Sequence, residues 1–189
     1  MSNSQGLDAP EPIETSEKTL RSVLGSIATA FDRNAQDKRG GLSNGDMAEL
    51  RRISPAQPYT AALWKVLLDF VPDNWVAGPD RDQKERQWAT LLMAMAVCAG
   101  QHDPYQRLGS ALAQAGWSEL RFVRLLRARD ERLEGEVRQL AAYLASKGQP
   151  ANFGDLATLL FQQSGDTAET HRRQIARSYY RTLYTLESK

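Results

Sequence analysis

Two histidines and one cysteine are the side chains of this sequence best suited to metal or nucleophilic chemistry, and their placement argues against both. His102 and His171 stand far apart, and neither belongs to a two-histidine helical spacing such as HExxH. One cysteine and two scattered histidines fall short of any usual structural zinc set. Cys98 has no partner for an internal disulfide and lies in the apolar stretch Met93–Ala99, where a buried, inert thiol is expected. The carboxylate pairs Asp130–Glu131 and Glu134–Glu136 sit among arginines, which predicts ordinary surface ion pairs rather than acid–base machinery. Gly40–Gly41 and Gly45 follow no strand-like segment, so neither a phosphate loop nor a dinucleotide fingerprint is indicated. The expectation is a protein that is not an enzyme and has no cofactor and no metal.

Arginine offers a different chemistry. It greatly outnumbers lysine, and its planar fork suits bidentate contact with phosphate. Three clusters stand out: Arg51–Arg52, Arg121–Arg132 and Arg172–Arg181. Arg121, Arg124 and Arg127 recur every third residue and sweep one arc of a helix. Arg173, Arg177 and Arg181 stand four apart, hence on one face, at a repulsive cost of a few tenths of a kcal/mol per pair. An anionic partner would offset that cost. The net charge is only +1, but acidic Asp8, Glu11, Glu14 and Glu17 crowd the first segment, so charges are separated along the chain and a basic face can form. The alternative is that each cluster is a solvated helix surface. Tyr179, Tyr180 and Tyr184 could stack on unpaired bases, although their helical spacing favours core packing.

These side chains must be carried by helices. From Ser16 the apolar positions Leu20, Val23, Leu24, Ile27 and Phe31 recur at helical spacing. Asp32–Gly41 is a polar connection. Ser43 and Asp46 form a capping-box pair opening a short helix that Pro55 and Pro58 must end. Further helices are predicted over Tyr59–Phe70, over Asp82–Ala99, and from a cap at Asp103 with Pro104 in the first turn as far as Gly116. The longest runs from Glu119 to about Ser146, capped by Ser118 and stopped by Gly148 and Pro150. Phe153–Gln163 makes the seventh, and an Asp166–Glu169 capping box opens the last, which ends near Glu187. No segment alternates as a strand does.

These signals together predict an all-α helical bundle of about eight helices. A polar, disordered N-terminal tail spans 1–14, an N-terminal helical region 15–100, and a C-terminal bundle 101–189. The 41% hydrophobic and 25% charged shares of the 189 residues fit a folded, soluble protein. No run nears the roughly 18 apolar residues of a membrane span, and no basic-then-apolar secretory signal opens the chain. A cytoplasmic location with no membrane partner is expected.

At the level of motif, Asn44-Gly45-x-x-Ala48-x-Leu50-Arg51-Arg52 resembles the early motif of the CasB family, the small subunit of the type I-E CRISPR surveillance complex (Cascade). Leu108-Gly109-x-Ala111-Leu112-Ala113-x-Ala115-Gly116, then Ser118-Glu119-x-Arg121 and Leu125-Leu126-Arg127-Ala128, is similar to that family's central motif. Arg173-x-Ile175-Ala176-Arg177-x-Tyr179-Tyr180 resembles the closing helix of actinobacterial-type members. The resemblance spans about Ser43 to Leu186 in matching order. Members often carry two adjacent arginines after the glutamate; here Leu120 fills the first place and Arg124 adds a charge one turn later.

The resemblance implies an all-helical, non-catalytic subunit that contacts the CRISPR RNA–target DNA hybrid and the displaced strand. It also implies that two copies pair head to tail and adjoin the large and backbone subunits. By motif match Arg51, Arg52, Arg121 and Arg127 become candidate nucleic-acid contacts, and helical geometry adds Arg124, Arg173 and Arg177. Duplex opening for RNA pairing is a nearly balanced exchange, so backbone contacts that hold the displaced strand would favour the open state. The rival readings are a helical DNA-binding transcriptional regulator, with Gly116 in the turn before a recognition helix, and a scaffold whose arginines only pair with neighbouring carboxylates. Leu120, Phe122 and Val123 in the first turns, and the length of the helix, count against the regulator.

Overall fold

The computed structural model describes residues 18–32 and 42–188. Among these residues there are ten helices and no strand. They are α1 (Leu20–Asp32), α2 (Asn44–Arg52), α3 (Ala61–Phe70), α4 (Asp73–Val76), α5 (Arg81–Val97), α6 (Leu108–Gln114), α7 (Glu119–Arg127), α8 (Asp130–Lys147), α9 (Phe153–Phe161) and α10 (Gly165–Glu187). The tail 1–14, the helix start at Ser16 and residues 33–41 of the polar connection lie outside the described residues. No helix among those described is long and apolar enough to cross a membrane.

The core is organised around α5, whose middle from Trp88 to Ala96 is buried on all sides. That explains its apolar sequence, since a helix without a polar face must be surrounded. α8 runs beside it in the same direction: Arg86 meets Glu134, and the Cys98 thiol reaches the Ala141 carbonyl at 3.2 Å. α2 and α9 cover other sides of α5, with the Trp88 and Phe161 rings 5.0 Å apart. α10 packs along α6, and Gly109 is the reason they can approach so closely. A Cβ there would sit 2.2 Å from the Ile175 carbonyl oxygen and 2.8 Å from the Tyr179 nitrogen, so only glycine fits.

Local signals place several boundaries. The Ser43–Asp46 capping box forms as expected, with the Asp46 N–H donating to Ser43 Oγ at 3.1 Å and the Ser43 N–H to Asp46 Oδ2 at 3.0 Å. Gly148 ends α8 in the left-handed conformation at φ 59°, the usual glycine stop.

Three expectations needed correction. The helix expected from Asp103 begins at Leu108: the Asp103 carboxylate instead closes a turn on the Tyr105 N–H (2.8 Å), and the Leu108 N–H is capped from a distance by Asp155 (2.9 Å). The Asp166–Glu169 capping box does not form, because Glu169 is drawn to Arg129 and Arg172. The long helix Glu119–Ser146 is two helices, α7 and α8, broken at Arg129–Asp130. Together with the short α4, that break turns eight expected helices into ten.

Nothing in the sequence at the break is a glycine or proline. Asp130 takes a left-handed φ of 49°, a conformation that costs an L-residue about 1–2 kcal/mol. Its N–H donates to the Gln163 side-chain oxygen at 2.6 Å. The Arg129 guanidinium donates to the Leu126 and Ala128 carbonyls at 3.0 and 2.9 Å. These bonds satisfy the end of α7 and the start of α8, so the tertiary bond from Asp130 to Gln163 and the local bonds of Arg129 together hold the kink.

Candidate nucleic-acid interface

The arginines divide into those whose guanidinium groups hold the fold together and those left in solvent. Arg172, which belongs to the C-terminal cluster by spacing, is only 6% exposed. It donates to the Gln163 carbonyl at 3.0 Å and approaches Glu169 at 3.4 Å, and burial holds its guanidinium below the ordinary arginine value. Glu169 also meets Arg129 at 3.4 Å, so one carboxylate bridges two guanidinium groups at the α7–α8 break. Arg138 donates to the Ile53 carbonyl and fastens the end of α2 to α8. Arg51 Nε donates to the Ala96 carbonyl at 3.0 Å, satisfying one of the orphan acceptors at the C-terminal end of α5.

Arg52, Arg121, Arg127, Arg173 and Arg177 are exposed and make no ion pair among the described residues. Arg52 follows Arg51 at the end of α2. Arg121 lies over the Trp117 ring, 5.3 Å from its centroid, a placement that fixes the stem without neutralising the charge. Arg124 differs: its Nη2 and Nε donate to Glu136 Oε1 at 2.6 and 3.1 Å, so α8 supplies it with a counter-charge. Arg173 and Arg177 project from α10 on the side away from its buried Ile175 and Tyr179.

α7 is held by its aromatic underside. Phe122 stacks on Tyr179 with centroids 3.8 Å apart and planes at 7°, and the Tyr179 hydroxyl donates to the Trp117 carbonyl at 2.6 Å. Tyr180 packs edge-on and donates to Glu119 at 2.8 Å; that hydrogen bond, with burial, pushes its phenol up to about 12. Tyr179 is therefore a core side chain, while Tyr184 alone of the three is well exposed. With Phe122 pointing inward, Arg121, Arg124 and Arg127 take the outer arc of α7.

The break at Asp130 folds α8 back beside α7 and opens a groove of about 440 Å³ between them. Arg132, on α8, joins Arg124 and Arg127 along its walls. Sequence spacing did not single out Arg132 because its approach to α7 depends on that break. Arg138, six positions on and about 9 Å farther along the α8 axis at 1.5 Å per residue, leads to Ile53 and so to Arg52. The α2 end and the α7–α8 groove thus flank the same helix.

The histidines are used structurally. His102 Nδ1 accepts from the Phe153 N–H at 3.4 Å, and burial pushes its pKa down. His171 Nε2 lies 2.9 Å from the Asp155 carbonyl. Cys98 is buried, and burial pushes its thiol up to about 12, so it carries no thiolate near neutral pH. Among the described residues no group of three or more His, Cys, Asp or Glu could hold a metal ion.

The frame is that of an all-helical protein whose α7, α10 and α2 present guanidinium groups that make no ion pair among the described residues. The family model for the CRISPR-associated protein Cse2 matches residues 46–180, and the chain belongs to that family. As the motif resemblance implied, it is a Cse2/CasB-type small subunit of type I-E CRISPR complexes. Among solved structures it is similar to a chain in the crystal structure of E. coli Cascade bound to a PAM-containing double-stranded DNA target. That match has a TM-score of 0.62 at 18% identity and covers 85% of this chain and 96% of the other. It is similar also to CasB from Thermobifida fusca, with a TM-score of 0.53 at 20% identity, covering 71% of this chain and 83% of the other. Among curated proteins no relative matches. At these identities the structural likeness speaks for the fold, and the family match decides against a transcriptional regulator. The nine-residue α7 removes the argument from helix length, but not that conclusion.

Proposed function

We propose that the chain acts without catalysis, binding the backbone of the CRISPR RNA–target hybrid and of the displaced DNA strand, and so stabilising the opened target in antiviral defence. The observation that carries this reading is the set of exposed, unpaired guanidinium groups, Arg52, Arg121, Arg127, Arg173 and Arg177, on a Cse2-family frame. Arg51 and Arg124 are assigned to the same surface, with part of their hydrogen-bonding capacity already used at Ala96 and Glu136. Such contacts recognise phosphate rather than base, so they are insensitive to sequence and sensitive to salt, each neutralised phosphate releasing counterions. Since opening the duplex is nearly balanced against pairing with RNA, a few contacts suffice to tip it. The partners we assign are a second copy of the chain and the large and backbone subunits of the complex, with the cytoplasm as location.

The test is the assembled complex carrying Arg51→Ala with Arg52→Ala, and separately Arg121→Ala with Arg127→Ala. Each pair is expected to weaken retention of the opened target while the purified chain keeps its helical signal. Full opening with both pairs would refute the assignment of the site. The chain should also show no nuclease activity with Mg²⁺ or Zn²⁺, and cleavage that copurifies with it would refute the non-catalytic reading.

A further inference from the structure

The α7–α8 groove has a feature that phosphate binding does not require. It is lined by Leu120, a large aliphatic side chain left 74% exposed, and Val123 one turn along, with the small Ala128 at the end of α7 and Gly135 on α8. Most of the other large aliphatic side chains of α7 and α8 are buried or packed against the core. At about 440 Å³ the groove lies within the size range of small-ligand sites.

Charge decides which ligand suits it. Glu136 neutralises Arg124 and holds it against α8, which leaves Arg127 and Arg132 at the groove without an ion-pair partner among the described residues. The occupant must therefore be anionic as well as apolar. An amphipathic helix from a protein would need apolar anchors recurring over about two turns, and Leu120 and Val123 supply only one turn of apolar wall. A base within a duplex has both faces covered by stacking and cannot present one to a leucine. An unstacked base in a single strand can, with phosphates on either side of it and guanidinium planes available for stacking.

We propose that this groove seats one unstacked base of a single strand against Leu120 and Val123, with the flanking phosphates on Arg127 and Arg132. The inference rests on the nucleic-acid reading above and deepens it: the chain grips single strands in preference to duplex, and does so partly through base contact that is blind to base identity.

The experiment compares a short labelled oligothymidine with an abasic strand of the same length, each titrated at low salt against the full chain. The wild-type chain is expected to bind the base-bearing strand about fivefold or more tightly, the low end of what one base contact contributes. Leu120→Gln, a change at an exposed position, should bring that ratio to about one, while Arg127→Ala should weaken both strands and keep the ratio. Unchanged thermal melting of both variants serves as the folding control. Equal binding of the two strands by the wild-type chain would overturn the base site while leaving the phosphate reading standing. Absence of binding to either strand would overturn both. A Leu120→Gln chain that keeps the wild-type ratio but assembles poorly into the complex would assign the groove to protein instead, and the inference would fall.

Discussion

The seam between α6 and α10 and the groove between α7 and α8 are built from similar helices and do opposite things. The seam is closed: Gly109 lets backbone meet backbone, Ser110 Oγ donates to the Ser178 carbonyl at 3.4 Å, and Thr182 reaches Ser110 Oγ at 3.1 Å. The groove is open, and its arginines stand in it with one carboxylate, Glu136, among them. Arginine itself changes role between such places. Near the start of α10, Arg172 is buried and bonded to backbone and carboxylate; at the end of α7, Arg127 makes no ion pair among the described residues. Burial favours pairing of polar groups, and both terminal nitrogens of Arg172 are bonded while its Nε is left without a partner among the described residues; exposure leaves a guanidinium free for a ligand. The presence of an arginine therefore predicts less than the space around it.

The sharpest way to break this contrast is to force the seam apart. Gly109→Ala places a methyl group 2.2 Å from a backbone carbonyl. Overpacking against backbone is expected to destabilise the chain by about 3 kcal/mol, read as a lower midpoint in chemical denaturation. An unchanged midpoint would mean the seam is looser than its geometry implies.

Arg172→Leu tests the buried arginine next. It removes the donor to the Gln163 carbonyl and one of the two partners of Glu169, and should cost about 2 kcal/mol. The same denaturation assay on Arg127→Ala should show a change within about 0.5 kcal/mol. Similar losses in the two variants would erase the distinction between structural and free arginines.

Tyr180, which joins α10 to α7, gives a smaller effect with a pH signature. Its folded pKa is raised from 10.0 to about 12 by the hydrogen bond to Glu119. A raised folded value means that the stabilisation is complete below the unfolded pKa of 10 and is lost as pH rises through about 12. The stability difference between the wild-type chain and Tyr180→Phe should accordingly be constant up to about pH 10, fall between about pH 10 and 12 and vanish above about 12, as followed by denaturation across that range. A difference that persists at the alkaline end would show that the phenol does not depend on Glu119.

The smallest expected change lies in the salt dependence of binding. Arg127→Ala should reduce the slope of log affinity against log salt by about 0.7 unit, the share of a single phosphate contact on a single strand. An unchanged slope, measured with any single strand, would remove Arg127 from the binding face.

By itself the sequence determined the all-helical class, the capping box at Ser43–Asp46, the glycine stop of α8, the absence of a catalytic constellation in its His and Cys spacing, and the three motifs of the family. All of these are local: a cap, a period or a motif is carried by residues a few positions apart, and the backbone responds to them wherever they occur. Tertiary structure alone decided that Glu119–Ser146 breaks at Asp130, that Glu169 abandons its cap, that Arg172 is buried and that Arg132 faces the groove. Among the bonds responsible, that of the Gln163 side chain to Asp130 and that of Glu169 to Arg129 span 33 and 40 positions. Contacts at that separation exist only once the chain has folded, and they break a run that has no proline and whose one glycine, Gly135, lies away from the break.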